Sequence, residues 1–350
     1  MKPLTGIEPH ISAEIATEKP ASYTFKLVVI AFVLALSIAF ALSNGAVSID
    51  IRGAIYGELS YVQNEVLLNI RAPRVLLAVL TGAILGIAGA SLQGLFRNPL
   101  ADPGLIGVSS GAALGAIAMI VIGEKINMPE ALRPYALPIA AIFGAFIVTS
   151  LLVTLASHKR TSSVMHILLV GIAINAIAGV GIGIFQYLSD DGQLRTLTFW
   201  MMGSLGRSTW TTLIPTMLLI TFSTAILFKS SKDLDIMQLG EPQAQYMGVE
   251  VNKLKKKIIL STAIGVGAAV SITGLIGFVG LVVPHITRLL VSVRHTPLLI
   301  GSGIVGGALL AASDLLARVL MTPAEIPISI ITSAVGAPFF LWLVMRIRAQ

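Results

Sequence analysis

A chain of 350 residues that is 55% hydrophobic, 12% charged and +0.88 in mean hydropathy cannot cover a water-soluble globule, since soluble domains are about one-quarter charged. The absence of cysteine excludes disulfides and thiolate metal sites. The net charge of +7 reads as the basic excess of cytoplasmic loops rather than as a nucleic-acid surface. The composition is that of an all-α polytopic membrane protein.

Residues 1–25 are polar and of mixed charge, with Pro3, Pro9 and Pro20, and lack the short apolar core and small-residue cleavage site of a signal peptide. They read as a cytoplasmic tail ahead of a transmembrane domain over 26–350. Crossing the hydrocarbon takes about 20 apolar residues. Ten runs qualify, at about 26–46, 72–95, 104–123, 135–157, 164–187, 210–228, 257–275, 277–292, 297–317 and 326–345. The two that meet near Gly274–Gly277 could fuse, which would leave nine. With ten spans and the amino terminus inside, sixteen Lys and Arg fall inside and eight outside, the sign that the positive-inside rule requires. Nine spans would put Arg346 and Arg348 outside, so ten spans with both termini cytoplasmic is the preferred topology.

Taken in order, the second span opens at Ile70-Arg71-Ala72-Pro73-Arg74 and ends in the polar break Arg97-Asn98-Pro99-Leu100-Ala101-Asp102-Pro103-Gly104. Backbone that leaves the helix at membrane depth is tolerated only where protein or a water-filled cavity satisfies it, which points to a transporter. Gly82/Gly86, Gly107/Gly111/Gly115 and Gly179/Gly183 have the small-xxx-small spacing of close helix packing. Gly107-Val108-Ser109-Ser110-Gly111 also matches the nucleophile-elbow pattern, with His166 or His285 as a conceivable base for an intramembrane serine hydrolase. No strand precedes it, and glycine and serine are common in these helices, so packing is the stronger reading. The same histidines could ligate metal or heme, although lone helical histidines more often pack or cap.

The largest inside loop, 229–257, contains Leu239-Gly240-Glu241-Pro242, a helix start with proline in the first turn. A short helix over Gln243–Met247, closed by Gly248, would dock another protein at the cytoplasmic face. Arg71, Arg74 and Arg318 lie at outer span ends, where they could meet an acidic partner or snorkel to lipid phosphates. Arg318 could also pair with Asp314 at i,i+4. No phosphate loop G-x-x-x-x-G-K-[ST] occurs, so any ATP site is on another chain. Asp102, Asp314 and Glu325 map near span ends, which argues against a proton-coupled secondary carrier. Spans two to five and seven to ten would start on opposite sides, as inverted repeats do.

Ile70–Arg74, Phe96–Pro103, Gly107–Ala112, Leu239–Glu241, Gly274–His285, Glu325–Pro327 and Gly336–Pro338, in this order, make the chain similar to the permease subunits of bacterial ABC importers for iron-siderophores, heme and cobalamin. The resemblance covers nearly everything after about residue 25. It implies a homodimer in the inner membrane with the pathway between the subunits. It also implies two ATP-binding subunits below, which hold ATP and Mg, and a periplasmic binding protein above. This chain would be no enzyme and would hold no cofactor. Arg71, Arg74 and Arg318 match the arginines that meet the binding protein. Asn98 and Leu100 match the cytoplasmic gate, and Ser162 and Ser163 fall in its second segment. Gly240, Glu241, Ala244 and Gly248 match the helices that enter the ATPase cleft. The Phe96–Gly111 run looks closest to heme permeases, which places heme first as cargo, a ferric siderophore second and cobalamin third.

Overall fold

The structure is a computed structural model that describes residues 20–45, 47–157 and 164–348. Ten principal helices follow the ten expected spans: α1 (Pro20–Ser43), α2 (Ala72–Phe96), α3 (Val108–Ile122), α4 (Arg133–Ser157), α5 (Val164–Leu188), α6 (Trp210–Lys229), α7 (Val251–Thr273), α8 (Val279–Leu290), α9 (His295–Val319) and α10 (Ile328–Arg348). The described residues contain no strand. Shorter helices join these ten; three of them, Asp191–Met201, Ser231–Met237 and Glu241–Tyr246, bear on the functional site.

Among the described residues, seven helical stretches are long and apolar enough to cross a membrane, whereas α3, α8 and the apolar part of α10 are shorter. At 1.5 Å per residue α3 rises about 22 Å and α8 about 18 Å, short of the roughly 30 Å of hydrocarbon. The reading of 104–123 and 277–292 as full spans is therefore corrected. The cause lies in the backbone ahead of each. Asp102 caps a single 3-10 turn, Pro103–Ile106, before α3 begins. Gly274 ends α7 in a positive-φ conformation, and Phe278, at φ 66°, opens α8. The two breaks meet: a Cβ on Gly280, in the first turn of α8, would lie 2.9 Å from Asp102 Oδ2. A carboxylate there faces the positive end of the helix dipole.

Two other boundaries move. The helix that contains α2 runs back through one π turn, Val66–Arg71, to Tyr61, where Ser60 and Gln63 form a capping box. Arg71 and Arg74 thus lie inside a 36-residue rod rather than at its start. At the other side of the large loop, α7 begins at Val251, not near 257. Lys253, Lys255, Lys256 and Lys257 are helical residues, not loop residues.

Backbone-to-backbone packing through glycine builds the centre. A Cβ on Gly82 would fall inside the van der Waals shell of the Gly306 carbonyl, and one on Gly306 would do the same to the Gly82 carbonyl, so α2 and α9 touch along their main chains. Gly111 and Gly115 bring α3 equally close to Gly144 and Ala140 of α4. A Cβ on Gly179 or Gly183 would meet nothing within 4 Å among the described residues, so neither makes such a contact within the chain. Gly82→Ala is expected to lower the melting temperature of the purified protein, because overpacking costs about 1–3 kcal/mol. Gly179→Ala should leave it level or raise it slightly, because alanine is the better helix former by about 1 kcal/mol. Equal melting temperatures for the two variants would refute this packing account.

The periphery is the inverse of the centre. α1 exposes Phe25, Phe32 and Phe40, and α5 exposes Met165, Leu169, Ile172, Ile177, Val180 and Ile184. Apolar surface this continuous is unsuited to water and suited to lipid.

Candidate functional site

Antiparallel α2 and α9 carry a polar cluster at each end. At one end Arg74 is 7% exposed and lies among three carboxylate oxygens. Its Nε donates to Asp314 Oδ1 at 2.9 Å, and Nη1 and Nη2 donate to the two oxygens of Glu325 at 2.8 and 3.0 Å. This is the bidentate fork that guanidinium geometry favours. Asp314 is buried within α9 and is shared with Arg318, whose Nε lies 3.1 Å from Oδ2. Glu325 sits in the irregular segment before α10, and its side chain is 45% exposed. The hydrogen bonds from Arg74 hold its carboxyl below the usual carboxylate range, against an opposing effect of burial.

Arg71 and Arg318 do different work. Arg71 donates to the carbonyls of Leu42 and Ser43 at 2.8 and 3.0 Å, and to that of Val47. Arg318 donates to the carbonyls of Ala41 and Asn44 at 3.0 and 3.2 Å. The carbonyls of Ala41, Leu42 and Ser43 belong to the last turn of α1, where cations are favourable, and those of Asn44 and Val47 lie just beyond it. The expectation of three outward charges is thus corrected in one respect: Arg71, Arg74 and Arg318 are buried side chains with internal partners. The i,i+4 contact of Asp314 with Arg318 was legible from spacing. The pairing of Arg74 with Glu325, 251 residues away, left no local signal.

At the opposite end α2 stops at Arg97, which takes a left-handed conformation at φ 48°. Asn98 Oδ1 accepts the Leu100 N–H at 2.9 Å, closing an Asx turn that leaves the Leu100 side chain 44% exposed. Ser162 and Ser163, the other expected gate residues, lie outside the described residues. One turn back, Gln93 is held by Arg288, which donates to its Oε1 at 2.6 Å, while its own amide donates to the Leu281 carbonyl at 3.3 Å. The break after α2 is in this way tied to α8.

The segment 229–257 packs against this end. Gly240 adopts φ 113°, a conformation costly for any side chain, and opens the helix Glu241–Tyr246 with Pro242 in its first turn. That helix is slightly earlier than the expected 243–247. Ala244, within that helix, is fully buried, and Gly248 follows it at positive φ. Glu241 pairs with Lys255 of α7 at 2.7 Å, where the lysine side chain is 4% exposed. Gln238 donates to the Gly94 carbonyl of α2 at 2.9 Å. Asp235 accepts the backbone N–H of His295 at 2.8 Å and lies 2.7 Å from its Nδ1, fixing the start of α9. Three of the bundle's helices are thereby tethered to one short segment, while Leu239, Tyr246 and Met247 project outward from it. The tethers to Gly94 and His295 were not legible in the sequence.

Gly107–Gly111, the elbow-like stretch, joins α3 to α5. Ser110 donates to Asn175 Oδ1 at 2.5 Å, and Asn175 in turn donates to the Gly104 carbonyl at 3.1 Å. His285 packs edge-on to Phe339, with ring centroids 6.0 Å apart.

A bundle of apolar helices with interrupted members, an ion network at one end and a tethered, apolar-tipped short helix at the other defines a multi-pass transport permease. The model of the FecCD transport family matches residues 27–346, and the chain belongs to that family. It is 42% identical to the hemin transport system permease protein HmuU of Yersinia pestis, over 91% of this chain and 96% of that one. It is 36% identical to the vitamin B12 import system permease protein BtuC of Vibrio vulnificus, over 83% and 86%. A solved structure of a metal-chelate type ABC transporter in an inward-facing conformation shares the fold with a TM-score of 0.83 and 34% identity, over 93% of this chain and all of that one. The chain is an ABC importer permease of the kind these relatives represent, a transport component rather than an enzyme.

Proposed function

We propose that two copies of this chain form the inner-membrane pathway of an ATP-driven heme importer, with both termini cytoplasmic. A periplasmic binding protein delivers the cargo at the Arg74 end, and two ATP-binding subunits dock at the Glu241 end. The observation that carries the reading is the helix Glu241–Tyr246. Its inner side is anchored to α7 through Lys255, whereas Tyr246 is 92% exposed and Met247 58%. A short helix held rigidly at one side with a large apolar tip at the other suits insertion into a cleft on a partner.

Movement of that tip reaches the pathway along the tethers. Glu241–Lys255 passes it to α7, Gln238–Gly94 to the end of α2 and its Asn98–Leu100 turn, and Asp235–His295 to α9. Asn98 and Leu100, with Ser162 and Ser163, form the cytoplasmic gate. At the far ends of the α2 rod and α9, Arg71, Arg74 and Arg318 hold the shape of the surface on which an acidic binding protein lands. Ligands at both faces then bias one two-state element, which is what coupling between the sites requires.

Heme is preferred as cargo because the hemin permease relative matches at 42% identity over nearly its whole length, against 36% for the vitamin B12 relative. A ferric siderophore is the second choice. Uptake of hemin, cyanocobalamin and a ferric siderophore should be compared in vesicles that contain the chain with its ATPase and binding protein. Hemin accumulation that stops on ATP depletion is expected. Preference for cyanocobalamin or the siderophore would overturn the cargo assignment, and uptake that persists on a proton gradient alone would overturn the importer reading.

A further inference from the structure

A cleft at the Arg74 end shares only Glu325 with the interactions described so far. Phe199, Trp200, Ile272, Ile326 and Pro327 give it an apolar wall, and Arg207 and Glu325 are its charged residues. Its cavity volume is about 160 Å³, room for the edge of a ligand rather than for a whole one. It lies where α7 breaks off, the kind of place at which irregular backbone lines a cavity. Its walls are fastened to one another. Ser204 N–H donates to the Thr273 carbonyl at 2.8 Å, Ile328 N–H to the Gly203 carbonyl at 3.2 Å, and Ser329 Oγ to the Leu275 carbonyl at 2.6 Å. The cleft is therefore preformed.

Its two charges are not equivalent. Both oxygens of Glu325 already accept from Arg74. Arg207 is exposed and, among the described residues, has no ion-pair or hydrogen-bond partner. The cleft presents one uncompensated guanidinium beside a largely apolar and aromatic wall. The complement of that surface is a flat apolar body bearing a carboxylate.

We infer that Arg207 binds a carboxylate of the cargo and makes this cleft the first contact of the cargo with the permease. The inference rests on the heme reading above, because the heme propionates are such carboxylates, whereas the corrin of vitamin B12 carries neutral amides at its rim. Arg207 would act as a specificity-determining residue, favouring a carboxylated macrocycle over an amidated one.

The test uses the full-length permease in lipid nanodiscs, titrated with hemin and with hemin dimethyl ester, in which both propionates are blocked. Tryptophan quenching, corrected against empty nanodiscs, is the readout. Arg207→Gln should weaken hemin binding by about five- to tenfold, the size of one charge-assisted hydrogen bond at a partly wet site. It should leave the ester unchanged, and Arg207→Lys should retain most of the hemin affinity. Wild-type hemin binding that Arg207→Gln does not alter overturns the inference and leaves the heme reading standing. Wild-type protein that binds cyanocobalamin but not hemin overturns both. Because Arg207 is exposed, the fold should survive each substitution, and an unchanged melting temperature checks this.

Discussion

Arg74→Met is expected to lower the stability of the permease by about 3 kcal/mol or more, and Glu325→Gln by less than about 1 kcal/mol, although both break the same ion pair. The asymmetry comes from where each charge is left. Removing Arg74 strands Asp314, which is buried within α9 and keeps only Arg318. Breaking a buried pair by deleting one partner costs about 3–5 kcal/mol, and the remaining arginine places the effect near the lower figure. Removing the charge of Glu325 leaves Arg74 paired with Asp314 and changes a group whose side chain is 45% exposed, in the range of surface ion pairs. Thermal or denaturant unfolding of the purified protein in detergent measures both. Equal losses would show that Asp314 does not depend on Arg74. Acid gives a third reading of the same contact. The folded-state pKa of Glu325 is lowered, chiefly by its hydrogen bonds to Arg74. Its contribution is complete above the ordinary carboxylate range and is lost as pH falls through the lowered value. Glu325→Gln should remove that part of the acid sensitivity.

Glu241→Arg is expected to abolish uptake of the cargo while the chain still reaches the membrane and folds. Lys255 is nearly enclosed and has Glu241 at 2.7 Å, so the substitution sets two cations against each other where little water can screen them. The short helix is then pushed off α7, and its apolar tip no longer moves with the bundle. The bundle itself is built by α2, α7 and α9 and does not depend on that helix. Glu241→Lys combined with Lys255→Glu restores opposite charges in exchanged places and should recover part of the uptake, whereas either change alone should not. Uptake by the single Glu241→Arg variant at the wild-type level would sink the coupling role. Failure of the exchange with retained ATPase binding would show that Glu241 touches the partner directly rather than through its tie to Lys255.

Arg318, α8 and the coupling segment show how far sequence reading carried. The i,i+4 partner of Arg318 is a local matter, and spacing found it. The existence of α8 was legible as an apolar run, but its shortness was not, because Gly274–Phe278 is as apolar as the helix it precedes. Leu239–Gly248 was recognisable as a helix start and stop from Gly-Glu-Pro and a closing glycine. What that helix was fastened to was hidden, because its anchors lie at Lys255, Gly94 and His295, on three different elements. The arginines were the instructive miss. Arg318 does lie in the last turn of α9, but Arg71 and Arg74 lie within a longer rod, and all three side chains have internal partners.

The sequence by itself determined that the chain is a helical membrane permease, where its principal helices fall and in what order, and which family it resembles. Each of these follows from twenty-residue stretches of apolarity or from short contiguous motifs, and a membrane enforces them locally by requiring every spanning backbone group to be satisfied within its own helix. Only the tertiary structure decided which charges are engaged and which are free. Arg74 is paired with residues 240 and 251 positions away and Arg318 with Asp314; Arg71 is hydrogen-bonded to carbonyls at and just beyond the end of α1, and Arg207 is engaged by no described residue. Whether a charge pairs depends on distances of about 3 Å between side chains, and no count of charges along a chain contains those distances.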